Sequence, residues 1–281
     1  MHVKLSVSWI GARTMDNAAR VTVDVDGAVA HVRLNRPDKL NALDTAMFEG
    51  LVSAGKRLMS DPDIRAVVVS GNGRAFCAGL DLSSFARIAK GGGEHPAMPP
   101  TTLERIGGAT ALGPQAAVVW SQVPVPVIAG IHGVAYGGGL QIALGADIRV
   151  ASPDAELSVM EVRWGLIPDM AGTQLLPELV GRDVAKDLTF TGRKVSGSEA
   201  AGMGLVTRLA DDPVAAAVQL AQQIAAHDRN ALRHAKALLD MAGRVPLADG
   251  LDAEQRAIKE LLASPAIAAI AADRLQQMRG T

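Results

Sequence analysis

Ile131-His-Gly-Val-Ala-Tyr-Gly-Gly-Gly-Leu-Gln-Ile-Ala-Leu-Gly-Ala-Asp147 is the stretch around which the chain is organised. It begins as the end of an apolar, Pro-punctuated run from Val123 that reads as a buried strand, bends at Gly133, and passes through Gly137, Gly138 and Gly139 into a periodic segment. The order is strand, glycine turn, helix N-terminus. Consecutive glycines let a ligand approach the backbone, and the first helical turn offers unpaired N–H groups carrying partial positive charge. Such a device binds a phosphate or an oxyanion that develops during reaction. Close packing of helix on strand would use the same glycines, so both readings stand on this stretch alone.

Working outward, Val21 to Asp26 and Ala28 to Leu34 alternate in polarity around Asp26-Gly27, a hairpin signal. Asp44 sits where an N-cap belongs, ahead of a helical pattern through Phe48, Leu51, Val52, Leu58 and Met59 that Asp61-Pro62 stops. Ile64 to Ser70 reads as a buried strand leading into a second glycine-rich turn, Gly71 to Asp81. Residues 84–100 carry Gly91-Gly-Gly93 and Pro99-Pro100 and are expected to be a mobile stretch; a helix is expected from about Leu103 to Gln122. Short strands are expected near Ile148–Ala151 and Glu156–Val159. Strand, helix and strand at this spacing belong to α/β architecture with parallel strands. From about Asp183 the pattern turns helical: Pro213–Ala226, Ala231–Met241, Leu247–Leu262 and Ala266–Gln277.

Composition bounds the function. The 281 residues can bury a sizeable core. A formal charge of -1 and 3% aromatic residues exclude broad attraction to nucleic acid or an anionic membrane and leave little for stacking on bases. No apolar run has membrane-spanning length, and the N-terminal stretch lacks the apolar region of a signal peptide. Cys77 is the only cysteine, which fits a reducing compartment, and a cytoplasmic location is expected. Met15 reads as an alternative start behind a short tail. HExxH, CxxC, Walker A and GxSxG spacings are absent, so neither a metal nor a cofactor is expected. A Rossmann-type nucleotide site lacks its acidic ribose partner at the required spacing.

The two glycine turns, at Gly79-Leu80 and Gly137-Gly138, can each present a backbone N–H, and two donors converging on one oxygen form an oxyanion hole. At this point the chain resembles the crotonase (enoyl-CoA hydratase/isomerase) superfamily. The matches run in order through Asn35-Arg-Pro-Asp-Lys-Leu-Asn-Ala-Leu43, Gly71-Asn-Gly-Arg-Ala-Phe-Cys-Ala-Gly-Leu-Asp81, Gly137-Gly-Gly139, Glu161, Gly165-Leu-Ile-Pro-Asp169, Gly172-Thr-Gln174 and Gly197 to Gly204 with Leu205-Val206.

The resemblance implies an α/β fold: a ββα spiral core over residues 20–195 behind a tail of residues 1–19, and an all-helical oligomerisation region over 196–281 that builds homotrimers or homohexamers. It also implies an acyl-CoA substrate, with coenzyme A entering as part of the thioester, and an enolate held by the N–H groups of Leu80 and Gly138. Lys39, Leu40, Ala42, Ala78, Gly79, Asp81 and Leu82 lie where the family holds coenzyme A.

The family hydratases use two glutamates, which fall here at Gln141 and Glu161. An amide orients water or substrate but accepts no proton at neutral pH. A single Glu161 is therefore expected to act as general acid/base in 3-enoyl to 2-enoyl isomerisation. A hydratase with a modified acid/base pair and a non-catalytic acyl-CoA-binding protein are the alternatives. Asp169 lies eight residues after Glu161, as an aspartate does in the family's dienoyl-CoA isomerases; it also suits the N-cap of a helix starting near Met170. Cys77 is expected to be a buried inert thiol, His132 to bond a backbone carbonyl, His95 with Glu94 to be solvated, and Arg229, Arg233 and Lys236 to form a solvated face. Acyl-chain selection is expected in residues 84–122.

Overall fold

The computed structural model describes residues 19–83 and 104–279. The chain folds as α/β, with ten α-helices and nine strands among those residues. Strands β1 (Val21–Asp26) and β2 (Val29–Leu34) form the expected antiparallel hairpin. Strands β3 (Ala66–Gly71), β4 (Val127–Ile131), β6 (Ile148–Ala151) and β9 (Arg208–Leu209) then add in parallel, giving a sheet ordered β1-β2-β3-β4-β6-β9. A second sheet holds β5 (Val134–Tyr136), β7 (Glu156–Ser158) and β8 (Val195–Ser196) in the order β5-β7-β8.

The parallel strands are buried on both faces, which is why they read as continuous apolar runs. Val67 and Val69 face the main core with Val127 and Ala129. Their alternates Ala66, Val68 and Ile128 face a second cluster with Ala217, Val218 and Ala221. Helix α1 (Thr45–Ser60) is capped as expected by Asp44, whose carboxylate accepts from Met47 N at 2.9 Å. It turns Met47, Phe48, Leu51 and Leu58 into the main core, each contributing about 1.5–3 kcal/mol. Helix α2 spans Leu112–Gln122, α3 Gly138–Leu144, α4 Gly172–Val180, α5 Arg182–Thr191, α6 Gly197–Gly202 and α7 Pro213–Ala225.

Helix α2 starts later than its sequence pattern indicates. Gly107 and Gly108 take positive φ of 52° and 88°, and Ile106 pairs with Ala109 in a tight turn that holds the backbone out of the helix. The region after Asp183 is likewise not purely helical. The two-residue strand β8 joins the small sheet and β9 completes the edge of the large one.

By compactness the chain divides after Ala226, because α7 covers the second face of the large sheet. The unit from His227 onward holds α8 (Arg229–Met241), α9 (Leu247–Ala263) and α10 (Pro265–Arg279). Asp228 caps α8 by accepting from Ala231 N at 2.9 Å, and His234 meets Glu260 at 3.3 Å between α8 and α9. Lys236 is buried, so the basic spacing on α8 is not a wholly solvated face.

Candidate active site

The site starts from a segment laid between two others. Phe76 N donates to His132 O at 2.9 Å, Cys77 N to Val134 O at 3.0 Å, and Tyr136 N back to Cys77 O at 3.0 Å, so residues 76–79 run parallel to β5. On the opposite side Leu43 N donates to Gly79 O at 2.8 Å and Asp81 N to Leu43 O at 3.0 Å. A parallel bridge of this kind uses the groups flanking Leu80, so the N–H of Leu80 itself points away from Leu43.

Gly79 sits at φ +84°, and a Cβ there would lie 2.7 Å from Tyr136 O and 3.8 Å from Gly138 N. Only glycine lets the two turns come this close. Gly137 N donates to Ser158 O at 2.9 Å, and α3 begins at Gly138. The N–H of Gly138 is therefore one of the first-turn donors that no intrahelical carbonyl can satisfy. Neither it nor the N–H of Leu80 has an acceptor among the described residues. Both residues line one pocket with Ala78, Gly79, Leu82, Gln141, Glu161 and Asp169.

Glu161 opens a 3-10 turn, Glu161–Trp164, that Gly165 ends in the left-handed region at φ 70°. Gln141 projects from α3 and is 1% exposed. Its Oε1 accepts from Met170 N at 2.8 Å and from Gly172 N at 2.9 Å. Those two donors fix the amide orientation, so Nε2 faces Glu161 and donates to Oε1 at 2.6 Å. The other oxygen, Oε2, is buried without a partner among the described residues. Burial pushes the Glu161 carboxyl above the ordinary carboxylate range, and the charge of Asp169 adds to the rise. A hydrogen bond from its own backbone and the Gln141 amide oppose it.

Asp169 is not a helix cap. Helix α4 starts at Gly172 behind Ala171, which sits at φ 67° and makes no side-chain cap. The Gln141 amide oxygen satisfies the N–H groups there instead, leaving Asp169 exposed on the pocket lining.

Of the residues expected along coenzyme A, Ala78, Gly79 and Leu82 line the pocket, while Lys39, Leu40, Ala42 and Asp81 do not. Lys39 is exposed at the end of the 3-10 turn Pro37–Lys39, and Leu40 O accepts from Ala78 N at 2.9 Å. Ala42 is buried and its carbonyl accepts from Arg36 at 3.2 Å. Asp81 is paired with Arg36 and also accepts from Ser83 N at 2.8 Å. Burial alone would raise its carboxyl, but the Ser83 bonds and the Arg36 guanidinium outweigh that and hold it at about 2. This pair braces the turn rather than the pocket.

Asn41 was not singled out by its chemistry. At φ 57° and 0% exposed, it sends Nδ2 to Asn72 O, Ala75 O and Phe76 O at 2.9, 2.8 and 3.2 Å, clamping the strand that leads to Gly79. The signal for it was an asparagine inside a turn, a residue type that tolerates the left-handed region. Cys77 is buried, its Sγ donates to Asn41 O at 3.1 Å, and burial pushes its thiol up to about 12. That thiol is inert at neutral pH. His132 Nε2 meets Gly73 O at 3.0 Å.

Acyl-chain selection expected in residues 84–122 finds no pocket-lining residue over 104–122, and residues 84–103, with Glu94, His95 and the Gly91–Gly93 run, lie outside the described residues. Among the described residues the pocket takes a wall from residues 160–170. No cluster of three metal-ligating side chains occurs among the described residues, and no helix there is long and apolar enough to cross a membrane.

Residues 24–269 match the family model described as "Enoyl-CoA hydratase/isomerase". The chain is 37% identical over 243 residues to a Mycobacterium tuberculosis protein described as "Probable enoyl-CoA hydratase EchA14", covering 86% of this chain and 88% of that one. It is 39% identical over 186 residues to the mitochondrial Delta(3,5)-Delta(2,4)-dienoyl-CoA isomerase of Rattus norvegicus, covering 66% of this chain and 56% of that one. The crystal structure of an enoyl-CoA hydratase from Bacillus anthracis superposes with a TM-score of 0.80 at 30% identity, covering 92% of this chain and 96% of the other.

Proposed function

Because the chain belongs to the enoyl-CoA hydratase/isomerase family, we propose that it moves the double bond of a 3-enoyl-CoA to position 2, with Glu161 as its one acid/base. The thioester oxygen sits between the N–H groups of Leu80 and Gly138, where an enolate is stabilised by donors already aimed at it. The Glu161 carboxylate takes a proton from carbon 2, and the electron pair spreads to the thioester oxygen. The same group returns the proton at carbon 4 while the π bond settles between carbons 2 and 3, so atoms and electrons balance. Coenzyme A enters as part of the substrate, running past Ala78, Gly79 and Leu82 toward Lys39 and Leu40.

The observation that carries this reading is the orientation of Gln141. Its carbonyl is occupied by Met170 N and Gly172 N, so it presents only N–H to Glu161 and has no base to offer a water. Glu161 keeps one oxygen, Oε2, without a hydrogen-bond partner among the described residues. The test is a spectrophotometric comparison of 3-enoyl-, 2-enoyl- and 3,5-dienoyl-CoA on the purified protein. Turnover of 3-enoyl-CoA far above the other two supports the proposal. Hydration of 2-enoyl-CoA as the main activity removes it in favour of a hydratase with a modified pair. Tight binding without turnover of any of the three removes catalysis.

A second reading has its own support. Asp169 lines the pocket, its charge raises the Glu161 pKa, and it caps no helix. Two acids on one pocket suit the transfer of a 3,5-diene to a 2,4-diene, one removing and the other delivering the proton.

The helical unit supports assembly as a homotrimer, or a hexamer of paired trimers. Leu239, Leu247 and Leu262 stand 75%, 78% and 62% exposed in the single chain, apolar side chains that contacts between subunits would cover. Sedimentation equilibrium gives the mass, and a monomer at micromolar concentration would sink this assignment.

A further inference from the structure

The pocket changes character with depth. Leu43, Phe48 and Met170 at its floor are 0%, 0% and 4% exposed, whereas Leu82, Trp164 and Leu166 at its rim are 67%, 51% and 38% exposed. Trp164 ends the 3-10 turn that Glu161 begins. With three residues per turn, side chains three apart eclipse one another, so the indole stands on the side of the helix that carries Glu161. Both residues line the same pocket. An exposed aromatic flanked by exposed leucines and continuous with a buried carboxylate is apolar surface that a ligand covers. Among the described residues the polar side chains of that lining are Gln141, Glu161 and Asp169, with no Lys or Arg.

Resting on the acyl-CoA reading above, we infer that Trp164 reads the acyl group, selecting hydrocarbon chains long enough to lie across its ring and rejecting chains that end in a carboxylate. A methylene laid on the indole leaves water, and each one buried contributes about a fourfold gain in affinity. A terminal carboxylate beside that ring enters a lining whose described charged side chains are both acids, so its burial is opposed by like charge and by lost hydration.

The experiment is a calorimetric titration with saturated straight-chain acyl-CoA thioesters of four to twelve carbons, which bind without reacting, together with an eight-carbon thioester bearing a terminal carboxylate. The wild type is expected to tighten about fourfold per added methylene over the chain lengths that reach the ring. The carboxylated thioester is expected to bind at least tenfold more weakly than its methyl-ended counterpart. Trp164→Ala flattens the slope against carbon number, and Trp164→Phe, which keeps a ring, retains most of it. Melting curves report that both variants are folded. An unchanged slope in Trp164→Ala, or equal affinity for the two eight-carbon thioesters, overturns the inference while leaving the acyl-CoA reading intact. Failure of every thioester to bind the wild type overturns both.

Discussion

The Nε2 of Gln141 lies 2.6 Å from Oε1 of Glu161, and the opposite oxygen of that carboxylate is buried with no partner among the described residues. One oxygen is held and the other is not. Removing the charge while keeping the shape is the direct test. Glu161→Gln is expected to lower turnover of 3-enoyl-CoA by about 10²–10⁴-fold with thioester affinity retained. Steady-state kinetics beside calorimetric binding decides it; unchanged turnover would remove Glu161 from the chemistry.

The same substitution has a stability signature with a definite sign. The Glu161 carboxyl is raised above 4.5 in the folded chain, so the folded state retains a proton that the unfolded chain has released. The penalty for burying its charge is absent below pH 4.5 and grows as pH rises from there through the raised pKa. Glu161→Gln is therefore expected to melt higher than wild type at neutral pH and to lose that advantage in acid. Thermal denaturation across pH reads this, and a variant less stable at every pH contradicts it.

Asp169 contributes to the rise of the Glu161 pKa through its charge. Asp169→Asn should move the acid limb of the kcat/KM profile to lower pH, because the base then ionises sooner. If turnover of 3,5-dienoyl-CoA falls about 100-fold or more while 3-enoyl-CoA is still turned over, Asp169 moves a proton itself and the two-acid reading is preferred.

Gln141→Glu places a second carboxylate against the first. Two such groups at hydrogen-bond distance share one proton and titrate as a pair. Hydration of 2-enoyl-CoA is expected to rise and its pH profile to become bell-shaped. A flat response would show that the amide is not what limits hydration.

The anchoring of Gln141 is itself testable at a distance from the reacting atoms. A Cβ at Gly172 would sit 2.6 Å from Gln141 Oε1, in a site where that side chain has no room to retreat. Gly172→Ala is expected to cost about 1–3 kcal/mol by denaturant titration and to loosen the hold on Glu161.

Where the chain's local preferences and its global packing agree, the fold was legible. Asp26-Gly27 marked the hairpin, Asp44 capped α1, and the apolar runs at β3 and β4 reported burial on both faces. Strands β8 and β9 were hidden because two residues carry no period, and sheet pairing alone creates them. The start of α2 was misplaced because Gly107 and Gly108 do not merely weaken a helix but turn the chain out of one. At the site, the family resemblance pointed to Leu80, Gly138, Gln141 and Glu161, which the fold brings to one pocket. The cap reading of Asp169 failed because the partner of those N–H groups comes from Gln141, 31 positions from Gly172, where no local rule reaches. Trp164 was within reach of the sequence, three residues beyond Glu161, had the turn type been known.

The free N–H groups of Leu80 and Gly138 belong to the peptide chain, not to any side chain. Point substitution can reshape the walls around them, through Trp164, Leu82 or Met160, and still leave that polarity in place, since every residue but proline brings the same amide. On the proposed reading, mutational drift here exchanges one acyl group for another far more readily than it erases the grip on the carbonyl, and the lineage's inventiveness is channelled toward new substrates for an old step.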